Sequence, residues 1–354
     1  MRKSKFEAGD GTDPVAPSRR DFIKTAAIGA AAGGAALVGG SGGDQVAQAQ
    51  TASGETWWPS RWGDGDEAGA SNWMTPQKTL EAATQIREGR VYKIGRVYEA
   101  GMPLFGARVF GVRIPGAPTG GPFGENNLIY NDEFLATEIG QVGTQFDGLG
   151  HIGVLSGDVA NMKDHKYYNG FDGSEVSGAY GLSKLGVEHV KPFFTPAHLI
   201  DVHGSLGEMK DAGYEITLAD VRGALSKQGM SEDDIRSGDA VFFNTGWGSL
   251  WMKNNDRFNS GCPGIGMEVA GWLIDKEISI TGADTWPTEV VPNPDPTLAF
   301  PVHAELITKN GIFNHENLFF DELIADGKYR FVYIFAPTPI KGATGSAGSP
   351  IAVT

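Results

Sequence analysis

The groups best suited to chemistry sit in one short run, Gln141-Val142-Gly143-Thr144-Gln145-Phe146-Asp147-Gly148-Leu149-Gly150-His151. Its polar side chains stand at positions 141, 145, 147 and 151, all odd, and in extended chain residues of one parity share a face. Gly143, Gly148 and Gly150 between them remove bulk, so backbone and a bound molecule can approach closely. A wall of this kind offers one carboxylate, one imidazole and two carboxamides, groups that bind cations, move protons and hydrogen-bond a ligand.

The flanking elements must hold that wall in place. Phe134 to Gly140 alternates as a strand that leads directly into the run. Residues 101 to 127 hold Gly, Pro and Phe without helical or strand periodicity and read as a long mobile loop near the domain rim, of the sort that serves as a lid. Downstream, strand and helix alternate: strand His198 to Val202, helix around Leu218 to Gln228, strand Ala240 to Asn244, helix Met267 to Lys276, strand Ile278 to Gly282. A helix around Val302 to Lys309 stops at Asn310-Gly311, a glycine C-cap signature. Strand Gly311 to His315, a short helix Asp321 to Ala325, and strands Arg330 to Ala336 and Pro350 to Val353 follow. No repeat, charge block or low-complexity linker interrupts the chain after residue 55, which predicts one continuous α/β domain. Trp57, Trp58, Trp62 and Trp73 crowd the opening stretch, either packing the core edge or reaching over a pocket to stack on a planar substrate.

The run resembles the signature of the cyclase family, the group that includes kynurenine formamidase and isatin hydrolase: His-x-Gly-Thr-His-x-Asp-x-Pro-x-His. Gly143, Thr144, Asp147 and His151 match it; Gln141 and Gln145 stand where the signature has its early histidines, and Leu149 where it has proline. The likeness continues in Trp62-Gly63, Asn244-Thr245-Gly246-Trp247, Gly282-Ala283-Asp284-Thr285, Pro301-Val302-His303 and Glu316-Asn317-Leu318. It implies a swivelling β/β/α fold, with a mixed, barrel-like sheet and flanking helices. Residues 131–354 would form the catalytic core, continuous with a Trp-rich segment and lid loop at 50–130. The resemblance further implies that Asp147, His303 and Glu316 ligate a divalent metal, with Gln141 and Gln145 in the positions of the missing imidazoles and His151 as proton carrier. Glutamine offers only a neutral carbonyl oxygen, which puts manganese ahead of zinc. The other reading of the trio is a buried hydrogen-bonded network without an ion. Trp73, Phe146 and Trp247 are the expected substrate-binding residues. The implied activity is hydrolysis of a cyclic or N-acyl amide, or a lactone, of a small aromatic molecule; a lyase or cyclase step and a metal-free binding protein are the alternatives.

Ser18-Arg19-Arg20-Asp21-Phe22-Ile23-Lys24, followed by an Ala/Gly-rich run and the triplet Ala47-Gln48-Ala49, resembles a twin-arginine signal. Residues 1–49 are accordingly expected to be removed after export of the folded protein to the periplasm, without stable membrane insertion, leaving roughly 300 residues. A formal net charge of −14 argues against nucleic acid as partner and leaves a small-molecule substrate. Related enzymes imply a homodimer or larger homo-oligomer. The one cysteine, Cys262, excludes an internal disulfide.

Overall fold

The alternating stretches assemble into one nine-stranded mixed sheet, curled into a half-barrel, in a computed structural model that describes residues 56–354. The twin-arginine segment and the Ala47-Gln48-Ala49 triplet lie outside the described residues. The strands are β1 (Val91–Lys93), β2 (Gln145–Asp147), β3 (Phe193–Asp201), β4 (Ala240–Asn244), β5 (Ile280–Ala283), β6 (Phe313–Glu316), β7 (Arg330–Phe335), β8 (Gly345–Ala347) and β9 (Ile351–Val353). They lie in the order β1-β9-β7-β3-β4-β5-β6-β2-β8. The centre, β3 to β6, is parallel; β7, β9 and β1 on one side and β2 and β8 on the other run antiparallel to their neighbours. Parallel strands are covered on both faces, which is why β4 reads as the unbroken run Ala-Val-Phe-Phe-Asn and is buried throughout.

Helices α1 (Pro76–Ala83), α2 (Leu218–Lys227) and α3 (Met267–Asp275) supply the cover: α1 and α2 pack on β3, and α2 also contacts α3. The first two start where their sequence caps them. Thr75 accepts the N–H of Lys78 ahead of Pro76, and Thr217 with Asp220 closes a capping box on α2. The helical stretch from Pro301 ends as expected at Gly311, whose φ of +66° suits glycine. Among the described residues no helix is long and apolar enough to cross a membrane.

Two expectations fail between residues 101 and 140. The predicted lid loop is not structureless: Phe110–Arg113 pairs with Phe134–Thr137, and Gly120–Phe123 with Leu128–Tyr130, as two small antiparallel ribbons. Strands this short, interrupted by glycine and proline, leave no readable period. For the same reason Phe134–Thr137 joins a ribbon and does not run on into Gln141, which lies in a bend before β2.

Phe146, in the middle of β2, is fully buried against Phe313, Phe335 and Phe193 at ring-centroid distances of 5.1, 5.3 and 5.9 Å. It fastens the strand that carries the polar residues to the core. Phe146→Ala should therefore lower stability by about 3–5 kcal/mol, read as a shifted urea midpoint; a change under about 1 kcal/mol would deny it that role.

Candidate functional site

Strand register builds the site. β6 and β2 are antiparallel with Asn314 opposite Asp147, His315 opposite Phe146 and Glu316 opposite Gln145. With a side-chain period of two, Asp147, Gln145, Asn314 and Glu316 share one face while Phe146 and His315 share the other. His315 is a core residue: burial pulls its pKa down to about 3, and its Nδ1 lies 2.6 Å from the Tyr333 hydroxyl.

His303 reaches the polar face from the helical turn Pro301–His303. Its Nε2 lies 3.1 Å from Glu316 Oε1 and 3.8 Å from Asp147 Oδ2. One ligand atom from each of Asp147, His303 and Glu316 falls within 4.8 Å of the others, and all three residues are buried. Behind the ring, Nδ1 sits 2.5 Å from Glu289 Oε1, and that carboxylate also accepts the backbone N–H groups of Val302 and His303 at 3.2 and 2.9 Å. The helix start thus holds the carboxylate, and the carboxylate aims Nε2 at the other two acids.

Three carboxamides complete the shell. Asn314 Nδ2 donates to Glu316 Oε1 at 2.6 Å and Asp147 Oδ2 at 3.0 Å, and its Oδ1 accepts from the Thr288 hydroxyl. Gln141 Nε2 donates to Asp147 Oδ1 at 2.7 Å, and Gln145 Nε2 to Glu316 Oε2 at 2.6 Å. Burial and the neighbouring Asp147 charge push the Glu316 carboxyl up to about 7. Burial works against a charge on His303, but Glu289 and Glu316 outweigh it and hold the imidazolium well above the usual histidine range. His151 differs. Its Nε2 is 3.8 Å from Asp147 Oδ1, yet burial dominates over that attraction and lowers its pKa, so the ring is uncharged at neutral pH.

These residues fit a divalent metal ion. One imidazole nitrogen and two carboxylates face a common point, the imidazole is oriented from behind by a carboxylate, and the paired acids concentrate negative charge where water cannot screen it. Asp147, His303 and Glu316 would hold the ion, with the carboxamides of Gln141, Gln145 and Asn314 alongside. The centre opens on a cavity of about 160 Å³, lined by Gln141, Gln145, His151, His303 and Glu316 on one side and by aromatic rings on the other.

The structure thus brings together all six of the expected metal and proton-transfer residues: Gln141, Gln145, Asp147, His151, His303 and Glu316. It does not bring the three expected substrate-binding residues to the cavity. Phe146 faces the core because the period-two alternation turns it away from Gln145 and Asp147. Trp247 is buried in a separate apolar cluster, its Nε1 donating to the Phe258 carbonyl. Trp73 packs edge-on against Trp62 beneath Arg61, at the core margin. The cavity's rings are instead Phe105, Phe258, Trp286 and Phe300. Sequence reading missed these, along with Asn314 and Glu289; the Asn314-x-Glu316 alternation was the one available signal. Cys262 is buried and its thiol is pushed well up by burial, which removes it as a nucleophile.

Gln145→His should raise zinc affinity by about tenfold or more, measured by competition with a chromogenic chelator, because it supplies a second nitrogen beside Glu316. Manganese affinity should fall roughly a hundredfold per pH unit as pH drops below about 7, since Glu316 must lose its proton to ligate and His303 must lose its own. Calorimetry in buffers of different ionisation heat would detect the released protons, and a pH-independent affinity would exclude these ligands.

A family model described as "Putative cyclase" matches residues 92–290, a span that contains the Gln141–His151 run and ends before His303 and Glu316. Among solved structures, the crystal structure of a novel cyclase is 29% identical with a TM-score of 0.72, covering 83% of this chain and 96% of that one. Isatin hydrolase A from Labrenzia aggregata, bound to benzyl benzoate, is 20% identical with a TM-score of 0.55, covering 75% of this chain and 93% of that one. Isatin hydrolase A from Ralstonia solanacearum has the same identity, 20%, and TM-score, 0.55, with 79% and 97% covered. A search of curated proteins found no match. On the family match and the shared fold, the chain belongs to the cyclase family.

Proposed function

We propose that this protein is a metal-dependent hydrolase that opens a carbon–nitrogen amide bond, cyclic or N-acyl, in a small aromatic molecule. The observation that carries the reading is the meeting of Asp147, His303 and Glu316 on one face of the β2–β6 pair, with an uncharged His151 beside them at the cavity. Family membership and the fold shared with the isatin hydrolases A support it. The cavity, at about 160 Å³, is close to the volume that holds a single benzene-sized ring, and its aromatic wall suits such a ring.

Bound at this centre, a divalent ion would polarise a carbonyl and acidify water. The remaining work falls to the protein's own groups. His151, uncharged, takes a proton from the attacking water and returns it to the departing nitrogen. Glu289 keeps the His303 ring in one orientation, and the aromatic rings exclude bulk water from the carbonyl. One nitrogen donor among carboxylates and carboxamides favours manganese over zinc. The Arg19-Arg20 segment supports export to the periplasm, and likeness to related enzymes supports a homo-oligomer acting on a free small molecule.

The test is hydrolysis of isatin and of formanilide by protein loaded with manganese, followed by mass spectrometry: each product pool should be one water heavier than its substrate. His151→Ala should cut kcat by about 10²–10⁴-fold with ion content unchanged, whereas Asp147→Ala should lose the ion. Loss of the ion from the His151 variant would reassign that residue from proton transfer to ligation.

A further inference from the structure

Two polar atoms in the cavity wall have no partner. Among the described residues, Asn317 Oδ1 and Trp286 Nε1 are buried without a hydrogen bond, and both residues line the cavity. Buried polar atoms are paired in the great majority of cases, and each exception calls for a reason. The two belong together in the fold, because the Asn317 backbone N–H donates to the carbonyl of Thr285, the residue just before Trp286, at 2.9 Å.

Every other polar group of Asn317 is committed. Its side-chain Nδ2 donates to the Gly143 carbonyl at 2.7 Å, and its backbone carbonyl accepts the Thr144 hydroxyl at 2.8 Å. A carbonyl only accepts, so Gly143 fixes which end of the Asn317 amide faces it and leaves Oδ1 as the free acceptor. The residue is 5% exposed and adopts a φ of +55°, a left-handed conformation that is costly for a residue with a Cβ. Trp286 is held by stacking on Phe105, ring centroids 4.3 Å apart and 15° from parallel. Both residues line the cavity, and the Asn317–Thr285 backbone hydrogen bond ties the segment that carries the free acceptor to the one that carries the free donor.

We infer that Asn317 and Trp286 are the specificity residues that read an unsubstituted amide: Asn317 Oδ1 accepts the substrate's N–H, and Trp286 Nε1–H donates to an oxygen of the same molecule. The substrate class narrows from any amide to a secondary amide or lactam on a ring. This rests on the proposed hydrolase reading for the bond that is attacked, but not for the recognition itself. A site built around a substrate N–H rejects an analogue that lacks it far more strongly than a shape-only pocket does, because the protein group is left buried and unpaired.

A matched set of rigid probes tests it: oxindole, 1-methyloxindole and 2-benzofuranone, which carry N–H, N–CH₃ and O at one position and the same ring and carbonyl elsewhere. Binding to the full chain is measured by isothermal titration, with no turnover required. Oxindole should bind at least about tenfold more tightly than the other two. Asn317→Gly, which tolerates the positive φ, should erase that preference. Trp286→Phe, which keeps the ring and removes the donor, should weaken all three probes by a similar factor and keep the preference. Equal binding of the three by the unaltered protein, a preference that survives Asn317→Gly, or no binding of oxindole would overturn the inference. Because the comparison stands on the unaltered protein alone, a variant that fails to fold does not rescue it. Hydrolysis of neither isatin nor formanilide, with the N–H preference intact, would remove the hydrolase reading and leave this one standing.

Discussion

The cyclase fold of this chain turns on two acids forced side by side. Register between β2 and β6 fixes Asp147 and Glu316 on the same buried face, with ligand oxygens within 4.8 Å. Two unit charges at that separation repel by roughly 3.5 kcal/mol at an effective dielectric of about 20, and burial adds a desolvation cost for each. One neutral hydrogen bond, worth about 1 kcal/mol net, cannot offset that. Several donors are therefore recruited: Asn314 bridges both acids, Gln141 and Gln145 take one each, and His303 contributes a proton of its own. The raised pKa of Glu316 is what remains of the conflict.

That constraint reaches outward into the fold. His303 can serve the acids only if its ring is aimed, and Glu289 aims it, itself held by the first N–H groups of the helix that carries His303. The helix continues as a π-helical segment, Ala304–Lys309, whose Thr308 hydroxyl donates to the Ile152 carbonyl, next to His151. The segment bearing His151 and the helix bearing His303 are thereby tied to one another, and a local widening of the helix at a functional site is a recurrent device. On the opposite face of β2, the stack of Phe146 on Phe313, Phe335 and Phe193 resists any slip of register that would separate the acids.

The sequence made the parts with strong periodicity legible. Helices α2 and α3, strands β4 and β7, and the glycine stop after the π-helical segment lie within a residue or two of where pattern and capping put them. Parity at Gln145 and Asp147 correctly predicted a shared face, but Gln141 and His151 reach the same centre from a bend and a turn flanking a strand of only three residues. The same parity turns Phe146 into the core, away from the cavity where a substrate-binding role would need it. Glu289 and the aromatic wall were beyond reach for a different reason. Glu289, Phe105 and Trp286 meet the centre through loops whose path depends on tertiary packing, and no local spacing links Glu289 to His303 or Trp286 to Asn317.

The glutamines at 141 and 145 fit this electrostatic picture better than they fit a zinc site. An imidazole beside Asp147 and Glu316 would compete with His303 for their protons, and a zinc-loaded centre would need it deprotonated. A carboxamide has no proton to lose and carries a donor and an acceptor on one planar group, so the same residue can hydrogen-bond a bare carboxylate or turn its oxygen toward a cation. Thr288 extends the logic to Asn314, since a hydroxyl can donate to one end of that amide or accept from the other. The acids thus stay satisfied in either charge state of the centre.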